Sequence, residues 1–225
     1  VLTFEELLAQ VSARYDRLDL PFWPDPHPGH QVADDDYERL TDPERYRIVH
    51  ARARAWTDVL RRRPDVTVTW LAGATVDDRG HPRPFDRGVQ ITSSRDGTLS
   101  LRLLEKDPDP HGTRHALLYV AVGPGVLLDL HPDCGCDACD SGSEDLLAAI
   151  DQTIRPVVAA RFVVIQGDGW QFHWHPEGSG SWASGPAIQR VERNGVSERC
   201  RRFAEGEPVD LPADAVAYVG RSWLD

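Results

Sequence analysis

The chain contains no methionine, and Lys106 is the one lysine among its 25 basic residues. Arginine therefore carries almost all the positive charge, a usage that hints at GC-rich coding and says nothing of activity. Positive charge is itself in short supply: 36 Asp and Glu leave a net charge of -11. Binding to phosphate backbones rests on Lys and Arg displacing counterions, so neither nucleic acid nor an anionic membrane is an expected partner. No apolar run approaches the roughly 20 residues needed to cross a bilayer. The opening "VLTFEELLAQ" lacks a basic stretch followed by an apolar one, so no signal peptide is expected. Cysteine is scarce too, with four residues in 225. Without a secretion signal these fit a cytoplasmic, reducing setting, where clustered thiols bind metal or do redox work more often than they form structural disulfides. H-E-x-x-H and G-x-S-x-G are both missing, and "GSGSWASG" lacks the lysine of a phosphate-binding loop.

What is present is a globular composition, 40% hydrophobic with seven tryptophans. Residues 1–225 are expected to form a single domain, with a soft division near 130–142. Thr3 and Glu6 form a capping box for a first helix, whose apolar stripe runs Phe4, Leu7, Leu8, Val11, Tyr15 and Leu18. The proline-rich "PFWPDPHPGH" follows and excludes regular structure. Thr41, Pro43 and Glu44 predict the start of a second helix that ends at "RRRP". Strands are expected in "VTVTWLAG", on both sides of Asp96-Gly97, and on both sides of Gly123-Pro124-Gly125. Ser141 or Ser143 is expected to cap a third helix, which Pro156 kinks or ends. A hairpin around Gly167-Asp168-Gly169 and an exposed edge hairpin around Asn194-Gly195 come next, then a last strand at "AVAYVG". The fold class is α+β: a mostly antiparallel sheet built from hairpins, packed against two or three helices, with a cysteine-rich metal-binding turn.

That turn is "LHPDCGCDACDSG", where Cys134, Cys136 and Cys139 fall within six residues. Residues two apart in an extended or turning backbone, and three apart in a C-x-x-C turn, aim at one point. Gly135 frees the backbone between the first two. Three thiolates at about 2.3 Å suit zinc, in a structural site that needs a fourth ligand. His131 is the first candidate, since it can reach around a turn; Cys200, His173 and His175 are the alternatives. Cys136 and Cys139 also read as a C-x-x-C redox pair, and idle thiols are the plainest reading. Asp133, Asp137 and Asp140 crowd the turn, and Arg47, Arg54 or Arg61 is expected to neutralise them.

"PDCGCDACD" and "TDPERYRIVHARARAW" resemble an actinobacterial family of uncharacterised proteins, a domain of unknown function carrying P-x-C-G-C-D-A-C-D. The resemblance implies an actinobacterial cytosolic protein and no activity. In "GWQFHWHPE", His173, His175 and Glu177 share one face of a strand, a spacing used by catalytic metal sites, although two histidines on a strand are often just surface residues. The leading expectation is a zinc-stabilised binding or interaction module with a protein or small-molecule partner, using a groove beside Trp170, Trp174 and Trp182. The alternatives are a metal-dependent hydrolase, using His173/His175 or an open Cys-zinc site, and a thiol redox protein using Cys136/Cys139.

Overall fold

The computed structural model describes residues 2–29, 32–78, 80–109, 114–184 and 195–224. Helix α1 is Phe4–Tyr15, and the Thr3–Glu6 capping box forms as expected. Helix α2 is Ile48–Leu60, preceded by a 3-10 turn over Pro43–Arg47. Thr41 does not cap it. Asp42, with positive φ, stands at the turn's start, and the Thr41 hydroxyl bonds a distant carboxylate described below. Helix α3 is Ser143–Ala159. Its N-cap is Gly142 without a side-chain cap, because the Ser143 hydroxyl is engaged with the Trp23 backbone.

Five strands form a first antiparallel sheet in the order of the chain: β1 Val66–Asp78, β2 His81–Ser93, β3 Leu101–Lys106, β4 Leu117–Val122 and β5 Val126–His131. The proline-bearing half of β2 carries no obvious strand signal. It is strand nonetheless because β3 pairs with β2 only from Arg87 to Ile91. Pro82 and Pro84 therefore pair with β1 on one side and face no ladder on the other, which is where proline is tolerated in a sheet. The second antiparallel sheet has the order β8-β7-β6-β9, with β6 Phe162–Gly167, β7 Trp170–His175, β8 Gly178–Ala183 and β9 Val216–Gly220.

The segment after Asn194-Gly195 is helix α4, Val196–Glu205, and not an edge hairpin. Val196, Cys200 and Phe203 give it an apolar stripe at helical spacing, and Arg201 pairs with Glu198 and Glu205 one turn away on either side. The Asn194 half of that expectation lies outside the described residues.

The main core packs α1, α2 and α3 against one face of the first sheet, and takes in Phe162, Val164 and Trp223 as well. The opposite face of β6 and β7 (Val163, Ile165, Trp170, Phe172) packs under α4. Period-two alternation thus splits the tryptophans expected to share a groove. Trp170 and Trp174 belong to this second core, while Trp182 is paired with Gln171 on the other face. The two sheets touch where the Gln171 side chain donates to the Leu127 carbonyl at 2.9 Å. No helix among the described residues is long and apolar enough to cross a membrane.

Candidate metal centre

Cys134, Cys136 and Cys139 lie on the connection from β5 to α3, and their sulfurs all fall within 4.8 Å of one another. Two sulfurs bound to one tetrahedral zinc at 2.3 Å stand about 3.8 Å apart, so small adjustments seat an ion between them. Cys134 and Cys136 are already at 3.2 Å. A single 3-10 turn, Asp137–Cys139, brings Cys139 back over Cys136 through a 3.0 Å backbone hydrogen bond.

Electrostatics in the group follow from that closeness. Burial opposes ionisation of Cys136, but S–H donation from Cys134 and Cys139 and N–H donation from Cys139 and Ala138 hold its thiol below the ordinary range. Donation to Cys136, reinforced by burial, pushes Cys139 up to about 12. A divalent ion bound by all three sulfurs would take them as thiolates and displace their protons.

The carboxylates that crowd the turn hold it in place. Asp137 is buried and accepts from Arg39 Nε at 2.6 Å, from the Thr41 N–H at 2.7 Å and from the Thr41 hydroxyl at 2.7 Å. Its N–H donates to the Arg39 carbonyl at 2.8 Å, and its carbonyl meets His27 Nε2 at 2.8 Å. Asp140 accepts from Trp23 Nε1 at 2.9 Å, from Arg45 at 2.5 Å and from the Gly142 N–H at 2.9 Å. Arg45 in turn lies over the rings of Trp23 and Tyr46. The irregular stretch between α1 and α2 is thereby strapped to the cysteine turn. The arginines expected to supply this charge are elsewhere: Arg47 pairs with Glu44 and Asp107, Arg54 with Glu105, and Arg61 with Asp58. The turn's aspartates are held instead by Arg39 and Arg45, which precede α2 in the strap itself.

The candidates for a fourth ligand stand apart from the sulfurs. His131 ends β5, is buried, and puts Nε2 3.0 Å from the Thr153 hydroxyl on α3. Cys200 is fully buried under the second sheet, where burial pushes its thiol up to about 12. His173 and His175 are on β7. Among the described residues, the group with metal-ligand geometry consists of the three cysteines.

His115, which no local pattern flags, is part of the turn's support. Its ring lies where a β-carbon on Gly135 would be, 2.1 Å from Nδ1, and it hydrogen-bonds the Pro132 carbonyl. Gly135 is therefore required for close approach, not for an unusual backbone angle.

Cys134 and Cys139 are exposed and line a cleft of about 410 Å3. Asp129, Asp133, Asp145 and His131 contribute to its walls. A thiophilic ion held here would meet solvent and any guest of the cleft.

Comparison with known proteins supplies a family without an activity. The model of one family, described as a family of unknown function, matches residues 10–225. No curated protein and no solved structure matches the chain.

Proposed function

We propose that this chain, which belongs across residues 10–225 to the family of unknown function DUF6226, is a zinc protein whose cysteine turn clasps its own N-terminal strap and presents the ion to a binding cleft. The observation that carries this reading is the convergence of three sulfurs within 4.8 Å on a turn already fixed by Asp137 and Asp140. Three thiolates favour zinc over calcium or magnesium, which take oxygen. The ion stabilises the turn, and the turn's two buried aspartates anchor residues on the strap. We read the chain as one domain, since its main core draws on both sheets. Unpaired thiols suit a reducing compartment, the cytosol.

Tetrahedral zinc takes four donors and the turn supplies three, so we assign the fourth place to water or to a ligand entering from the cleft. This departs from the closed site expected from the sequence. It makes the module's ligand a small molecule or a protein side chain able to reach the metal. The exposure of Cys134 and Cys139 on that cleft favours a second reading, a metal-dependent hydrolase in which the ion activates a bound water.

Thiol titration of the native, reduced protein separates these readings from a redox role. In the zinc reading the three clustered thiols are protected until a chelator is added, and then all three react. A Cys136–Cys139 disulfide on mild oxidation, with no metal in the purified protein, would establish the redox protein instead. Turnover of ester or amide substrates that is lost on chelation and restored by zinc would favour the hydrolase.

A further inference from the structure

A buried row of the first sheet loses its cover at the β1 edge. Trp70 of β1 pairs with Val89 of β2, Val89 with Leu103 of β3, and Leu103 with Val120 of β4. Directly paired residues of antiparallel strands project from the same face, here the face under the helices. Val120, Leu103 and Val89 are 0%, 1% and 5% exposed, whereas Trp70, which ends the row, is 71% exposed. A bare indole that continues a buried apolar row, beside a groove, is unlike an apolar residue standing alone on a surface.

The groove beside Trp70 has a volume of about 630 Å3, within the range of small-molecule sites. It exists because α2 lines it with Ala51 and Ala55, one turn apart, where larger side chains would fill the space next to Val89 and Leu103. Leu18, just after α1, adds a second exposed apolar wall. The charge around the groove is of the sign the chain otherwise lacks. Among the described residues of its walls, Arg14, Arg54 and Arg87 stand against two carboxylates, Asp58 and Glu105. Asp58 is shared by Arg14 and Arg61, and Glu105 by Arg54 and Arg87, the latter also held by Asp107. Arg54 donates to Glu105 through Nε and Nη2 at 3.0 Å and 2.8 Å, while its side chain is 57% exposed. Its remaining nitrogen, Nη1, can donate to a guest.

We infer that this groove is a binding site for a small organic acid, whose aromatic or aliphatic body lies against Trp70 and Val89 and whose carboxylate meets Arg54. A neutral guest forgoes the arginines, and a cationic one is opposed by them. The groove shares no described lining residue with the cleft of the cysteine turn, and the inference does not depend on the cysteine reading.

The test is a titration of the full, reduced chain with naphthoate, followed by calorimetry and by NMR of the indole N–H signals. Naphthalenemethanol and naphthylmethylammonium serve as the neutral and cationic counterparts. Naphthoate should saturate, shift the Trp70 signal, and bind about threefold to fivefold more tightly than the alcohol, the ratio expected of one exposed ion pair. The ammonium should bind more weakly than the alcohol. Arg54→Gln should remove the advantage of the acid. Ala51→Leu should fill the groove and, like Trp70→Ala, weaken naphthoate roughly tenfold or more with the fold retained. Saturation without a Trp70 shift, equal affinity for the three probes, or no saturation at millimolar naphthoate overturns the inference. So does a folded Ala51→Leu variant that binds unchanged. If Ala51→Leu does not fold, Trp70→Ala, at an exposed position, decides in the same way. A reversible dimer in sedimentation that Trp70→Ala dissolves would give the face to a second copy and overturn the inference as well.

Discussion

Asp137 and Thr41 are joined twice: the backbone N–H and the hydroxyl of Thr41 each donate to the Asp137 carboxylate at 2.7 Å, across 96 residues of chain. One side chain of the cysteine turn thus supplies what the strap's backbone would otherwise lack. The same carboxylate takes Arg39, so a single buried group organises both segments.

Asp137→Asn should therefore destabilise the protein by about 1.5–3 kcal/mol, the range for hydrogen bonds to a charged group. Its pH signature follows from direction. Burial acts to raise the Asp137 pKa, but the bonds from Thr41 and Arg39 prevail and hold it below the usual carboxylate range. The folded state then binds its proton later than the unfolded chain, whose aspartates titrate near 3.9. Stability from this group is fully present above about pH 4–5 and is lost as pH falls through the folded value. Urea titrations from pH 7 to pH 3 should show a shallower acid loss in the Asn variant than in the wild type.

Gly135→Ala should cost about 1–3 kcal/mol, as expected for an added carbon in a packed site. The His115 ring occupies the space that the new carbon needs. His115→Ala in the same chain should recover most of that loss, and a double-mutant cycle by chemical denaturation measures the coupling. Additive effects would show that the two residues do not meet.

The Arg52–Asp151 pair ties α2 to α3 within the main core, at 2.5 Å and 2.9 Å. The indole of Trp56 also donates to Asp151, at 2.7 Å. Asp151→Ala leaves the Arg52 guanidinium buried without its anion, and a loss of about 3–5 kcal/mol is expected. Tryptophan fluorescence should report the altered Trp56 environment in any folded fraction.

Chelation should loosen the strap. At a free zinc concentration one hundred times its Kd, the ion adds about 2.7 kcal/mol to stability. Removing it should lower the melting temperature and expose the segment between α1 and α2 to limited proteolysis. Unchanged cleavage there would show that the turn holds the strap without metal.

The parts legible in the sequence were those written in local pattern. The Thr3–Glu6 box, the strands flanking Asp96-Gly97 and the C-x-C-x-x-C spacing each concern residues a few positions apart, and each forms. What escaped depends on pairing across the chain. Thr41 reads as a cap until Asp137 is placed beside it. Arg39 and Arg45 look no different from Arg47 until the strap is folded against the turn. Asn194-Gly195 has the letters of a hairpin, but Val196, Cys200 and Phe203 bury better as one face of a helix against the second sheet. The hydrogen bond of His131 to Thr153 on α3 is likewise a pairing that no local pattern announces.

The central claim is that three sulfurs of one turn hold one ion. X-ray absorption at the zinc edge tests it most directly, on reduced protein dialysed to one equivalent of metal. The account predicts about three sulfur neighbours at roughly 2.3 Å and a single lighter atom near 2.0 Å. A shell of nitrogen and oxygen alone, or protein that retains no zinc while Cys134, Cys136 and Cys139 stay reduced, would contradict it.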